Sequence, residues 1–262
     1  PLTIRMEGIV PTVYPHEIID WNEQHVGEVD KLPGIHSEEQ FAAWLKVYNR
    51  NVDKWEAMNV ADSVELAHYG VHNDGETPGT DGWTFYLWND IDCKDMKPDA
   101  NGAFVKALTE GVTFDGKGYV LHNLMLDFEH TAPSSGRVGL IGEIRGGRLR
   151  NLHLDFVTVR NMDVDTPSGC IAGRISSGQI FDCTVREAKM MCRGGVAGVL
   201  AGEMSGGDMA GCKFHGMVQA KEMQDETEWG YKKIVNGVVG RMPSDFKGTV
   251  ANDIINRVFI TD

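Results

Sequence analysis

Between residues 155 and 186 the acids Asp155, Asp163, Asp165 and Asp182 are interspersed with Arg160, Arg174 and Arg186. Carboxylates and arginines mixed in this way are the equipment of polysaccharide cleavage. There a carboxylate or a basic side chain moves the proton, and Ca²⁺ can bridge the acids. A second set alternates in sign at longer intervals: Glu143, Arg174, Glu203 and Arg241. These four could contact a ligand as a stripe, or pair with one another. His68 and His72 have the spacing of two metal ligands on a helix, with Asp74 beyond them. Gly70 stands between them and no glutamate base follows, so a structural or solvated pair is the reading. Met190-Met191-Cys192 offers soft ligands, but reads better as a packed loop. No metal site and no cofactor is expected. Trp83, Trp88 and Trp229 are sugar platforms if exposed and packing residues if not.

Composition limits what such residues could serve. The chain has 262 residues, 42% hydrophobic and 24% charged, which suits a folded protein of one or two domains. Its net charge of −13 repels phosphate backbones and anionic lipid, so nucleic acid is not an expected partner. No apolar run approaches the ~18–20 residues of a membrane-spanning helix, and no membrane insertion by this segment is expected. The five cysteines are odd in number and form no Cys-x-x-Cys, so neither zinc binding nor a disulfide framework is indicated. The opening at Pro1 reads as a processed or trimmed chain from which any export signal is gone. Glycine, at 31 residues, is about 12% of the chain against a usual ~7%, which points to many tight turns or close backbone stacking.

The elements that must hold these residues emerge from self-comparison. Segments 139–154, 170–185 and 199–214 align without gaps on one pattern of alternating apolar positions, a middle glycine and a second glycine corner. Gly142, Gly173 and Gly202 are 31 and 29 residues apart. Upstream, 115–126 is matched with Asn123 placed on Asn151; downstream, 237–242 and 248–252 repeat the two halves of the pattern. Period-two alternation means short strands with one buried face, and strands this short bury that face only by stacking copies ~4.8 Å apart. The expected fold is mainly β: a right-handed parallel β-helix over residues 84–262, the hand being that of most parallel crossovers. In that register Glu143, Arg174, Glu203 and Arg241 point outward on successive rungs and pair as a ladder. Asp182 falls where Asn151 and Gly211 stand, a turn position that suits Asn, Asp or Gly. Cys183 and Cys212 stack inward as free thiols. The middle glycines point inward and make room for a bulky side chain from another strand.

Residues 32–83 read as a helical cap over the open end of that stack. Ser37-Glu-Glu-Gln40 is a capping box before the stripe Phe41, Trp44, Leu45 and Tyr48, and a second helix is expected from Asn51 to His68. Residues 70–82 read as a loop and 84–92 as one strand. Residues 1–31 read as a linker or the remnant of a preceding segment.

The repeat resembles the GLUG motif, whose Gly-Leu-hydrophobic-Gly signature stands here as Gly139-Leu140-Ile141-Gly142 and more loosely as 170–173 and 237–240. The segments 87–92 and 114–124 resemble the lead-in common before such repeats. The resemblance covers residues 84–262. It implies a bacterial surface-exposed or secreted chain, often a lipoprotein or adhesin-like, and so a cell-surface or extracellular location. The peptidase domain that some of these chains carry is not matched here, because no His-Glu-x-x-His occurs. The expected function is a non-catalytic module binding a glycan or a host or extracellular protein. The alternatives are a carbohydrate-active β-helix enzyme (a polysaccharide lyase or glycosidase) and a purely structural stalk.

Overall fold

A strand of three or four residues with one apolar side chain between two polar ones cannot stand alone, and the chain solves this by coiling. In a computed structural model, residues 32–73, 82–128, 136–161, 163, 166–192, 196–218, 234–235, 239–242, 244, 246–250 and 256–260 are described. The fold is mainly β, a parallel β-solenoid of about four turns preceded by a helix. Each full coil has four faces. The first carries Ala103–Thr109, Gly139–Arg145, Ala172–Ile175, Ala201–Met204 and Val239–Arg241. The second carries Gly82–Tyr86, Thr113–Asp115, Arg148–Arg150, Gln179–Phe181, Gly206–Ala210 and Lys247–Val250. The third begins at Ile91–Asp92 and continues through Val120–His122, His153–Asp155, Thr184–Arg186, Lys213–Val218 and Asn256–Ile260. The fourth is Met125–Phe128, Thr158–Asn161 and Lys189–Cys192.

Inside, like positions stack into continuous apolar columns. Phe85, Phe114, Leu149, Ile180 and Met209 follow one another in register on the second face, and Ile91, Leu121, Leu154, Val185 and Phe214 on the third. All ten are buried. The corners need a left-handed residue followed by an inward one. Asn151, Asp182 and Gly211 turn the chain between the second and third faces, at φ of 53°, 52° and 64°, and are followed by buried Leu152, Cys183 and Cys212. Asn123, Phe156 and Glu187 do the same between the third and fourth faces.

The expected register of the three central copies matches these pairings, and that of the upstream copy does not. Asn123 donates its N–H to the Asp155 carbonyl and Leu126 pairs with Val159, so Asn123 is the counterpart of Phe156, one corner later than Asn151. Asn-Leu-x-Leu is the solution to either corner, which is why the sequence alone does not separate them. The middle glycines also act differently from expectation. A Cβ on Gly173 would stand 2.7–2.9 Å from Arg137, two of the three nearest atoms being backbone. The neighbour is therefore the chain leading into the coil before, not a bulky side chain.

Helix α1 (Glu38–Asn51) opens as expected, with the Ser37 hydroxyl accepting from the Gln40 N–H at 3.3 Å. Gln40 answers by accepting from His36 N–H at 2.7 Å. Phe41, Trp44, Val47 and Tyr48 are buried, and the Trp44 ring lies 5.4 Å from Phe85 and 5.1 Å from Phe114. The helix also satisfies the first strand of the first face, an edge that would otherwise be open. Asn49 donates to Phe104 O and accepts from Lys106 N, while Tyr48 donates to Ala107 O at 2.7 Å.

Three expectations for the cap are corrected. The second helix is a short 3₁₀ turn, Trp55–Ala57, and then α2 (Val60–Leu66), because Asn59 caps a fresh start by accepting from Asp62 N. The loop at 70–82 is in part a strand, Gly70–Asn73, antiparallel to Gly82–Tyr86 and covering its edge. The single strand at 84–92 breaks at Leu87, whose side chain is buried, before Ile91–Asp92 starts the third face. The expected linker at 1–31 lies outside the described residues.

Candidate functional site

The outward residues of the strands stack into columns just as the inward ones do, and on three of the four faces every arginine whose side chain is described pairs with an acid. On the first face Glu143, Arg174, Glu203 and Arg241 occupy successive rungs in the expected register. Arg174 reaches both Glu203 oxygens at 3.2 Å and Arg241 reaches Glu203 at 2.5 Å, so one acid holds two arginines. Burial raises the Glu203 carboxyl, but Arg241 and Arg174 outweigh it and hold the group below its ordinary value. Glu143 is held instead by Arg137 at 3.6 Å and by the Ser176 hydroxyl at 3.2 Å. Asp53, at the end of α1, takes both Lys106 and Arg145. On the third face Asp155 lies 3.4 Å from Arg186 and 4.0 Å from His122. On the fourth Arg160 meets Asp127 at 3.3 Å.

The acids and arginines that suggested cleavage are thus dispersed. Asp155 and Arg186 share one face, Arg160 is on another and Arg174 on a third. Asp182 is a corner residue, Asp163 follows the strand Thr158–Asn161, and Asp165 lies outside the described residues. His72 sits on the strand before Trp83 and His68 just after α2, so no helix aligns them; Asp74 is outside the described residues. Met190-Met191-Cys192 is not a loop but a strand, with Met190 buried and Met191 on the opposite side. Among the described residues no three metal-ligating side chains come together.

The second face is different. Its outward column runs Tyr86, Asp115, Arg150, beside a second column of Thr113, Arg148, Gln179 and Asp208. The Asp115 side chain is only 2% exposed and binds Arg150 Nε at 3.0 Å, Asn151 Nδ2 at 3.1 Å and the Lys117 N–H at 3.0 Å, with the Lys117 ammonium at 3.6 Å. Lys117 Nζ lies over two rings, 4.9 Å from the centre of Tyr86 and 5.4 Å from that of Trp88, within cation–π range. Arg148 and Arg150 are both exposed. Among the described residues Arg150 makes no hydrogen bond through its two terminal nitrogens, and Arg148 makes no side-chain hydrogen bond or ion pair. Arg150 and the Lys117 ammonium therefore flank one buried acid, with Arg148 two residues away on the strand of Arg150.

The tryptophans take separate roles. Trp83 is 4% exposed and stacks on Phe85 at 5.6 Å, so it packs the core. Trp88 is half-buried, donates Nε1 to Pro33 O at 3.1 Å, and lies 5.9 Å from the Tyr86 ring. It holds a lysine rather than presenting a bare face. Trp229 lies outside the described residues. Arg148, Arg150 and Lys117 were not singled out from the sequence. Lys117 arrives through four corner residues, 116–119, where two suffice at 151–152.

The fold and this patch define a parallel β-solenoid whose second face exposes Arg148 and Arg150 side by side. Comparisons with protein-family models, curated proteins and solved structures gave no match.

Proposed function

We propose that this chain is a non-catalytic, adhesin-like binding module of a bacterial cell-surface or secreted protein, taking a glycan or an extracellular protein on the second face. One observation carries the reading. Every arginine of the first, third and fourth faces whose side chain is described is paired with an acid, whereas on the second face Arg148 has no acid partner and Arg150 makes no hydrogen bond through its terminal nitrogens to any described residue. Charge already spent on a neighbouring rung is structural; surplus charge is available to a partner. The dispersal of the carboxylates over several faces argues against paired acid and base chemistry, which needs the two groups within about 10 Å across a bond. The resemblance to GLUG-motif chains supports the surface location.

The test is a panel of host and plant polysaccharides and matrix proteins, scored for binding and for new chain ends, with and without Ca²⁺. Binding without new ends is the expected result. New chain ends that vanish in an Asp or Arg variant overturn the reading in favour of an enzyme. Silence on both overturns it in favour of a stalk.

A further inference from the structure

We infer that the second-face patch selects an anionic saccharide, one bearing carboxylate or sulfate groups, an inference that rests on the glycan-binding reading above. Among arginines whose side chains are described, Arg148 is the one with no acid partner. Leaving a guanidinium exposed and uncompensated on a molecule of net charge −13 is unusual, since every added acid elsewhere favours pairing it. Its immediate neighbours along the column are Thr113 and Gln179, neutral groups able to bond sugar hydroxyls, with Asp208 one rung beyond Gln179. Arg150, two residues along the same strand, presents its terminal nitrogens beside it, roughly 6.6 Å away at the backbone. The buried Asp115 fixes Arg150 from behind through Nε, and the rings of Tyr86 and Trp88 fix Lys117. Two of the three cations are therefore held in place before any ligand arrives, which reduces the ordering cost of binding. A planar guanidinium meets carboxylate and sulfate oxygens with paired N–H donors, and a neutral sugar gives it no such partner.

The experiment compares, by calorimetry at low and moderate salt, a short oligogalacturonate, the same oligomer fully methyl-esterified, a heparin-derived oligosaccharide and a neutral cello-oligosaccharide. The charged oligomers are expected to bind at least about tenfold more tightly than the esterified one, and to weaken as salt rises. Arg148→Gln is expected to lose about tenfold for the charged oligomers with unchanged thermal unfolding, because Arg148 holds nothing else. Arg186→Gln, on the third face, is expected to leave binding as it was. Stronger binding of the galacturonate assigns the anion as carboxylate, and of the heparin fragment as sulfate; both support the inference. Esterified and charged oligomers bound alike, or R148Q binding like the parent, overturns the anionic class and leaves glycan binding standing. No binding of any saccharide, charged or neutral, overturns both.

Discussion

Gly173 puts a backbone-level constraint on a single residue. The atoms nearest the space of its missing side chain belong to Arg137, and two of the three are main chain, which cannot swing away as a flexible side chain would. Gly173→Val is therefore expected to cost about 1–3 kcal/mol or more, read as a lower urea midpoint with an unchanged slope. An unchanged midpoint would mean that the lead-in chain does not pass there. The thiols give a second check at this scale. Cys93, Cys170, Cys183 and Cys212 are buried and in no disulfide. Burial pushes the Cys93 thiol up to about 12 and raises Cys183, where the neighbouring Cys212 adds to the effect. All four are closed off by burial and the thiolate is disfavoured at Cys93 and Cys183, so they are expected to be silent to a thiol reagent in the folded protein and to react on denaturation. Rapid labelling of Cys183 or Cys212 in the native state would contradict the stacking of one on the other.

At the scale of strands, the outward ladder tests how rungs hold one another. Arg174 and Arg241 both bind Glu203, while Glu143 turns to Arg137. Arg174→Glu would place a carboxylate between Glu143 and Glu203. We expect a loss of up to about 1 kcal/mol, largest in low salt and shrinking as salt is added. Equal stability in low salt would mean that the ladder contributes nothing. This register was legible in the sequence because three constraints coincide in each central copy: a glycine facing backbone, a left-handed corner and period-two burial. The cap helix was legible for a similar reason, since Ser37, Gln40 and the stripe from Phe41 to Tyr48 agree. The upstream copy was not, because Asn123-Leu124 and Asn151-Leu152 solve two different corners with the same residues. The patch was not legible either. Lys117 reaches Tyr86 and Trp88 only through the longer corner at 116–119, and an arginine lacking a partner is recognisable only once the partners of the others are known.

For the molecule as a whole, parallel stacking brings charges of distant sequence into columns, so its stability should depend on pH through the few groups whose protonation the stack resists. His153 on the third face is one. Burial, then the charges of Arg186 and Lys213, hold its pKa below the ordinary 6.5 against the opposing pull of Asp90. Its Nδ1 is buried without a hydrogen-bond partner, so a proton there would gain nothing locally. Glu203 is another, held below its ordinary 4.5 by Arg241 and Arg174 despite the contrary effect of burial, and Asp53, Asp62 and Asp92 are held low by their own partners. All these shifts have the same sign for stability. In each case the unfolded chain binds a proton that the folded chain resists, so stability is fully present above the unfolded pKa and is lost as pH falls toward the folded one. Two limbs are expected in the free energy of unfolding: one beginning as pH drops through about 6.5, from His153, and a second beginning near 4.5, from Glu203 together with Asp53, Asp62 and Asp92. His153→Asn should flatten the first limb alone, and Glu203→Gln should make the second shallower without touching the first. The sites lie on different faces, so their effects should add. A profile of the parent that stays level from pH 7 down to about 5 would show that the third-face imidazole is not shielded as the fold requires.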